Sequence, residues 1–141
     1  MKFWDSSAIV PLVVQQPLSK YSLTLLKSDP VQLVSFSTYC EVFSALSRLE
    51  RERSLKTESF SASEHRLNIL CKSWHVASFS PLVESETKRL LRIHPIKCAD
   101  AFQLASAITC CERNFGAFSF VTFDEKLGNT AVKEGFVIEA G

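Results

Sequence analysis

The segment CADAFQLASA, residues 98–107, has the composition of a helix that packs inside a protein. Its alanines and larger apolar residues predict an apolar face, yet Asp100 lies in the first turn beside that face. A lone buried carboxylate costs several kcal/mol or takes up a proton. We therefore expect Asp100 to have a partner elsewhere in the chain or in solution.

The composition is that of a folded protein. The 141 residues are 46% hydrophobic and 22% charged, with 4 glycines and 5 prolines, which predicts one domain spanning residues 1–141 with a sizeable core. The net charge of +1 gives no overall attraction to nucleic acid, so any such binding must come from local patches.

Cysteine usage and the N-terminus indicate the compartment. The cysteine count is odd, at 5, and the spacings do not match a zinc site, which favours reduced thiols. The opening segment MKFWDSSAIVPLVVQQP has too short an apolar run for a signal peptide or a membrane span. We expect a cytoplasmic protein without membrane association.

Strand and helix patterns alternate on both sides of residues 98–107. Periodicity and turn signals predict strands at 2–4, 31–37, 75–80, 117–123 and 136–140. They predict helices at 7–15, 18–28, around 42–49, 57–73, 81–93, 99–113 and 124–135. In the helix at 81–93, Ser80 is the predicted cap and Pro81 occupies the first helical position. The first helix requires Pro11 to lie in its first turn. This order favours an α/β protein with three α/β/α layers and a central, mostly parallel sheet flanked by helices.

Four acidic residues fall where predicted strands turn into helices or where helices begin: Asp5, Glu41, Asp100 and Asp124. Because functional groups gather at the carboxyl ends of parallel strands, we expect the four carboxylates to converge. Such a cluster repels itself unless cations bind it, and Mg²⁺ and Mn²⁺ prefer carboxylate oxygens. The expected partner of Asp100 is therefore a divalent metal ion.

Each acid also has a purely structural interpretation. Asp5 and Asp124 suit the N-caps of the helices that follow them, and Thr38-x-x-Glu41 matches a capping box. Asp100 is acceptable in the first turn of a helix without any ligand. Taken singly, these interpretations are preferred, and only the joint pattern favours a metal site.

Four segments together resemble one known family. FWDSSAIVPLV, STYCEVFSALSRL, CADAFQLASAI and FVTFDEKLGNTAVKEGFVI are similar, in order and spacing, to the conserved segments of PIN-domain proteins. The resemblance runs from residue 3 to about residue 138 and is strongest to the VapC type, the toxin ribonucleases of toxin-antitoxin pairs.

The resemblance implies a PIN fold and a Mg²⁺- or Mn²⁺-dependent endoribonuclease. It implies that the catalytic and metal-binding residues are Asp5, Glu41, Asp100 and Asp124, with Ser7 and Thr122 holding the acids in place. Many relatives have histidine where this chain has Gln103, which we leave outside the predicted site. The implied partners are an RNA substrate (tRNA, rRNA or mRNA), a cognate antitoxin and a second copy of the chain. Residues expected to face that copy are Val10, Leu12, Tyr39 and Val42.

Basic side chains are the predicted contacts with RNA phosphates. The candidates are Arg48, Arg51, Arg92 and Lys97. The alternative is an ordinary solvated helix face, since Glu50 and Glu52 lie in the same run as two of them.

Other protein classes share parts of this pattern. A phosphatase of the haloacid dehalogenase type requires a second aspartate where Ser7 lies, and a phosphoaccepting receiver domain requires paired acids and a late lysine that are not evident. The principal alternatives keep the fold: a metal- or RNA-binding module without catalysis, or a PIN nuclease outside any toxin-antitoxin pair.

Overall fold

The computed structural model describes all 141 residues, Met1–Gly141. Five strands form the sheet: β1 Lys2–Trp4, β2 Gln32–Ser35, β3 His75–Ala77, β4 Phe120–Val121 and β5 Ile138–Glu139. Seven helices connect them: α1 Ser6–Val13, α2 Ser19–Ser28, α3 Thr38–Arg51, α4 Thr57–Leu70, α5 Pro81–Ile93, α6 Cys98–Cys111 and α7 Glu125–Glu134. A single 3₁₀ turn, Cys71–Ser73, follows α4. The predicted order of strands and helices is confirmed.

The sheet is parallel throughout, with strand order β3-β2-β1-β4-β5. Consecutive strand residues point to opposite faces, so neighbouring residues enter different cores. Phe3, Leu33 and Phe120 belong to the core that contains α5, α6 and α7. The following residue in each strand belongs to the core that contains α1 to α4: Trp4, Val34 and Val121. Helices therefore cover both faces, and the predicted three-layer α/β/α fold is confirmed.

The strands are shorter than their apolar patterns. The sequence predicts one strand over residues 117–123, but only Phe120–Val121 is paired in the sheet. Strands covered on both faces are apolar throughout, and flanking residues such as Phe118 and Phe123 pack against the cores without joining the sheet. The apolar composition therefore predicts that this segment is buried, but not which of its residues pair in the sheet.

Pro11 lies in the interior of α1, not in its first turn as expected. Proline has no N–H to donate to the carbonyl of Ser7, so one helical hydrogen bond is lost. The helix ends two residues later, at Val13, and the proline is buried. Burial in the core outweighs the local penalty in this short helix.

Two further features concern the helices and the cysteines. None of the helices combines the length and the apolar composition needed to cross a membrane. All five cysteines are free, and Cys111 is the buried one.

Candidate active site

The central strand places the first acid at the middle of the sheet. β1 pairs with β2 on one side and β4 on the other, so the chain connections diverge from β1 in both directions. In open α/β sheets, ligands bind outside the carboxyl ends of the strands at such a switch point. Asp5 directly follows β1, and its backbone N–H donates to the Val121 carbonyl of β4 at 2.9 Å.

Asp5 is buried, at 2% exposure, and one of its two carboxylate oxygens is fully used. Oδ2 accepts from the Thr122 hydroxyl at 3.0 Å, from the Ser7 backbone N–H at 3.2 Å and from the Ser7 hydroxyl. The other oxygen, Oδ1, has only a long contact of 3.4 Å with the Ser6 hydroxyl. Ser7 and Thr122 thus fix the orientation of Asp5 and leave Oδ1 available to a ligand.

The same two hydroxyls connect Asp5 to the start of α7. Ser7 Oγ lies 3.2 Å from Thr122 Oγ1 and accepts from the backbone N–H of Phe123 at 2.9 Å. Thr122 Oγ1 accepts from the Asp124 N–H at 3.1 Å. The ends of β1 and β4 are therefore tied together by side-chain hydroxyls directly beneath the acids.

Glu41 has the same division between a held oxygen and an available one. Its Oε2 accepts from the Ser37 hydroxyl and from the Gln103 amide, both at 2.6 Å. Its Oε1 contacts only the Ser6 hydroxyl, at 3.3 Å. Ser6 therefore lies between the available oxygens of Asp5 and Glu41. The alternative capping-box role is not observed, since the cap residue Ser37 makes no side-chain cap hydrogen bond.

Gln103 contacts Glu41 and belongs to the site, which corrects the expectation that it lies outside. The residue is completely buried in α6, and besides Glu41 it contacts the Thr38 hydroxyl, with Nε2 3.1 Å from Oγ1. It follows Asp100 by three residues, so both side chains lie on one side of the helix. That spacing, and an amide among alanines, is the signal that identifies it in the sequence.

Asp100 and Asp124 complete the group of acids. Asp100 is partly buried in the first turn of α6. Asp124 is exposed and caps α7, with Oδ1 accepting from the Leu127 N–H at 2.8 Å. The predicted cap interpretation therefore holds for Asp124, and it also holds for Asp5, which caps α1.

Electrostatic coupling connects the four acids. Burial raises the pKa of Asp5, Glu41 and Asp100 above their ordinary values. Like charge raises each pKa further: Asp100 acts on Asp5, Asp5 acts on Glu41, and Asp124 acts on Asp100. Lys97 and Lys126 oppose the effect at Asp100. The folded chain therefore holds a negative cluster that favours protonation or a bound cation.

The other buried carboxylate shows what the cluster lacks. Asp29 is 4% exposed and pairs with the N-terminal ammonium at 3.2 Å, while its Oδ2 accepts from the Trp4 indole at 2.9 Å. None of the four clustered acids forms an ion pair with a side chain. Asp5 is thus the buried carboxylate without a cationic partner.

The donor set fits a hard divalent cation, although the acids do not enclose one as they stand. No three His, Cys, Asp or Glu side chains lie close enough together to form a metal-binding group. The available atoms are carboxylate oxygens, among them Asp5 Oδ1 and Glu41 Oε1, which suit Mg²⁺ or Mn²⁺ rather than zinc. Mg²⁺ is usually held by one or two carboxylates and keeps several waters, so a close four-acid cage is not required.

The predicted RNA-binding residues occupy different places. Arg48, Arg51, Arg92 and Lys97 are all exposed, and none forms an ion pair. Lys97 lies near Asp100, whose pKa it lowers. Arg92 lies in the last turn of α5, which is followed by His94, and His94 contacts Glu134 at the opposite end of α7 from Asp124. The two ends of α7 are roughly 15 Å apart.

Two of the residues expected to face a second copy are buried inside this one. Val42 is 0% exposed and Val10 is 9% exposed, and both pack in the core formed with α1 to α4. The i, i+3, i+4 pattern of α3 marks its inward face, so Val42 is part of the core. Leu12 and Tyr39 are partly exposed.

Solved structures with the same fold come from several bacteria. One is VapC20 of Mycobacterium tuberculosis, a sarcin-ricin loop cleaving toxin, with a TM-score of 0.69, 19% identity and 97% of each chain covered. FitAcB of Neisseria gonorrhoeae matches with a TM-score of 0.70 and 16% identity, over 98% of this chain and 96% of that one. A chain of a toxin-antitoxin complex from Klebsiella pneumoniae has a TM-score of 0.65 and 16% identity, over 91% and 90% of the two chains.

Sequence comparison gives the family. No curated protein matches the chain significantly. The sequence profile of the PIN domain matches residues 2–133, which is nearly the whole chain and includes all four acids. The chain therefore belongs to the PIN domain family.

Proposed function

We propose that this chain is a Mg²⁺- or Mn²⁺-dependent endoribonuclease of the VapC type. The observation that carries the proposal is the set of carboxylates at the central switch point, of which Asp5 is buried without a cationic partner. A protein gains no stability from such a charge, since desolvation and like-charge repulsion both act against it. Binding of a cation supplies a reason for the cluster.

Asp5 and Asp100 are the proposed main metal ligands, with Glu41 and Asp124 completing the site directly or through water. A divalent ion here supplies a lowered pKa for its bound water and charge neutralisation at a phosphodiester. Ser7 and Thr122 hold Asp5 Oδ2, so that Oδ1 remains directed to the ligand.

Glu41 is the proposed proton acceptor. Ser37 and Gln103 hold its Oε2, and Oε1 is left with a single weak contact. Burial raises the pKa of this carboxylate, which brings it nearer to that of an effective general base at neutral pH. In the proposed reaction, Oε1 takes the proton of the water that attacks the phosphorus atom, and the 3′ oxygen leaves and takes up a proton from solvent. The products are 5′-phosphate and 3′-hydroxyl ends.

The structural relatives support a toxin of a toxin-antitoxin pair. One is a toxin that cleaves the sarcin-ricin loop, and another is part of a toxin-antitoxin complex. We extend both properties to this chain: its substrate is RNA, its partner is an antitoxin that covers the acids, and it acts as a homodimer in the cytoplasm. A PIN nuclease outside such a pair, or a binding module without catalysis, are the competing hypotheses.

The test is cleavage of a mixed pool of tRNA and ribosomal RNA fragments by the purified chain. We expect cutting with Mn²⁺ or Mg²⁺, none with chelator, and none with Asp100→Asn under any condition. Glu125→Gln is the matched control, because Glu125 is an exposed acid next to Asp124 that makes no side-chain hydrogen bond. Cyclic phosphate ends would overturn the mechanism, since they require attack by the 2′-hydroxyl. Intact RNA in every condition would favour the binding module.

A further inference from the structure

A trench leads away from the acids along α3. It has a volume of about 540 Å³ and begins at Ser6, Ser7 and Glu41, so it is continuous with the candidate active site. Along α3 its lining runs from Glu41 to Arg48 and Leu49. Arg48 follows Glu41 by seven positions of helix, a rise of about 10 Å. A nucleotide has room to lie between the two.

The sequence of α3 builds one wall of the trench. Glu41, Ser44, Ala45, Arg48 and Leu49 recur at the spacing of one helix face, and all of them line the cavity. This face lies next to the buried face that carries Val42 and Leu46. The position of this wall is therefore set by how α3 packs on the core.

The opposite wall comes from α1, from the loop that follows it and from Phe123. Phe123 packs its ring against Tyr21, with centroids 5.8 Å apart. Its backbone N–H donates to Ser7 Oγ at 2.9 Å, which couples the position of this residue to the acid site. Gln16 adds an amide on the same side. Proteins commonly bind an unstacked base by stacking it on an aromatic ring and donating hydrogen bonds from neighbouring groups.

Arg48 is the one arginine that lines the trench, and its guanidinium is free of ion pairs, unlike those of two other arginines. Arg89 pairs with Glu134 at 2.6 Å, and Arg113 pairs with Glu86. Arg48 is exposed and forms no ion pair, while Arg51, one turn further on, does not line the trench. A free guanidinium at the end of a cavity is suited to a phosphate.

We propose that the trench binds the nucleotide next to the scissile phosphate of single-stranded RNA. The base lies against Phe123 within reach of Ser44 and Gln16, and the following phosphate binds Arg48. This inference rests on the proposed nuclease function and assigns the substrate contacts of the same site. Charge complementarity favours RNA over an apolar peptide as the occupant of the trench. Arg48 is the only cation among the lining residues, and it follows Glu41 by about 10 Å along α3.

The test measures the affinity of a fluorescent single-stranded RNA for the intact chain in chelator, where cleavage does not interfere. Arg48→Ala removes the phosphate contact, and we expect binding about tenfold weaker, with the salt dependence reduced by about one counterion. Ser44→Leu fills the trench at an exposed helix position and should weaken binding as well. It should also change the nucleotide preferred beside the cut, as read by sequencing the cleavage ends.

Two matched variants serve as controls. Lys27→Ala removes an exposed charge of α2 that forms no ion pair and does not line the trench, and Ser61→Leu makes the same substitution as Ser44→Leu at an exposed serine of α4 outside the trench. Trench variants that bind RNA no more weakly than these controls, or a wild-type chain that binds no RNA, would overturn the proposal. If the trench variants bind RNA as well as the controls do and cleavage is intact, the nuclease function stands and a protein segment becomes the favoured occupant of the trench. If RNA binding depends on the trench residues but no metal-dependent cleavage occurs, the nuclease function is rejected and the RNA-binding role of the trench is supported.

Discussion

The side chain of Gln103 donates to Glu41 Oε2 at 2.6 Å, across 62 positions of sequence. The contact joins the middle of α6 to the first turn of α3, and the Ser37 hydroxyl holds the same oxygen at 2.6 Å. The orientation of Glu41 therefore depends on two neutral donors. An amide holds the carboxylate without adding a charge of its own.

Replacing Gln103 by leucine should reduce both stability and cleavage. The substitution leaves Glu41 and the buried Thr38 hydroxyl short of one partner, which costs about 1–3 kcal/mol. Chemical denaturation measures the free energy of unfolding, and the RNA assay measures the rate. Gln103→His retains a donor and should recover part of the rate. A leucine variant with unchanged cleavage would show that Glu41 needs no positioning.

Thr122→Val tests the hydroxyls beneath the acids. Thr122 is 1% exposed, and its hydroxyl serves both Asp5 Oδ2 and the backbone N–H of Asp124. Removing a group that orients metal ligands lowers metal affinity or activity by about 10–100-fold. Titrating cleavage with Mn²⁺ should show the loss as a higher concentration at half-maximal rate. Thr122→Ser, which keeps the hydroxyl, should remain close to wild type, and equal losses in both variants would contradict the role.

The acids should make the metal-free protein less stable as pH rises. Their folded pKa values are raised, so their contribution is fully present below the unfolded values, near 4, and is lost as pH rises through the folded values. In chelator, Asp5→Asn should therefore melt at a higher temperature than wild type at pH 7, and the difference should shrink toward pH 4. A variant that melts lower at pH 7 would mean that the hydrogen bonds of Asp5 outweigh its desolvation.

Much of the fold follows from the sequence because its signals are local. The Ser80 cap with Pro81, for example, sets the start of α5, and Ser80 Oγ accepts from the Val83 N–H at 3.2 Å as such a cap does. Strand ends are less predictable, since Phe118 and Phe123 are apolar for packing and not for pairing. The interior position of Pro11 reflects a balance between burial and a lost hydrogen bond, which local rules do not contain.

The residues of the candidate site also differ in how well the sequence identifies them. Asp5 and Asp124 are identifiable because they follow strands, and Asp100 because it interrupts an apolar helix. The spacing from Asp100 marks the side of α6 on which Gln103 lies, but its contact with Glu41 depends on how α6 packs against α3, which no spacing within one helix reveals. Val42 shows the opposite error: its pattern marks a buried face, and the interface role came from the family resemblance alone.

Calorimetric titration of Mn²⁺ into the purified chain without RNA tests directly whether the four acids hold a metal ion. We expect binding to the wild type, loss of that binding in Asp100→Asn, and full retention in Glu125→Gln. Binding should also raise the melting temperature of the wild type, since a ligand that prefers the folded state stabilises it. A wild-type chain that binds no Mn²⁺, or an Asp100→Asn variant that binds it equally well, would contradict the claim that these acids hold a metal ion.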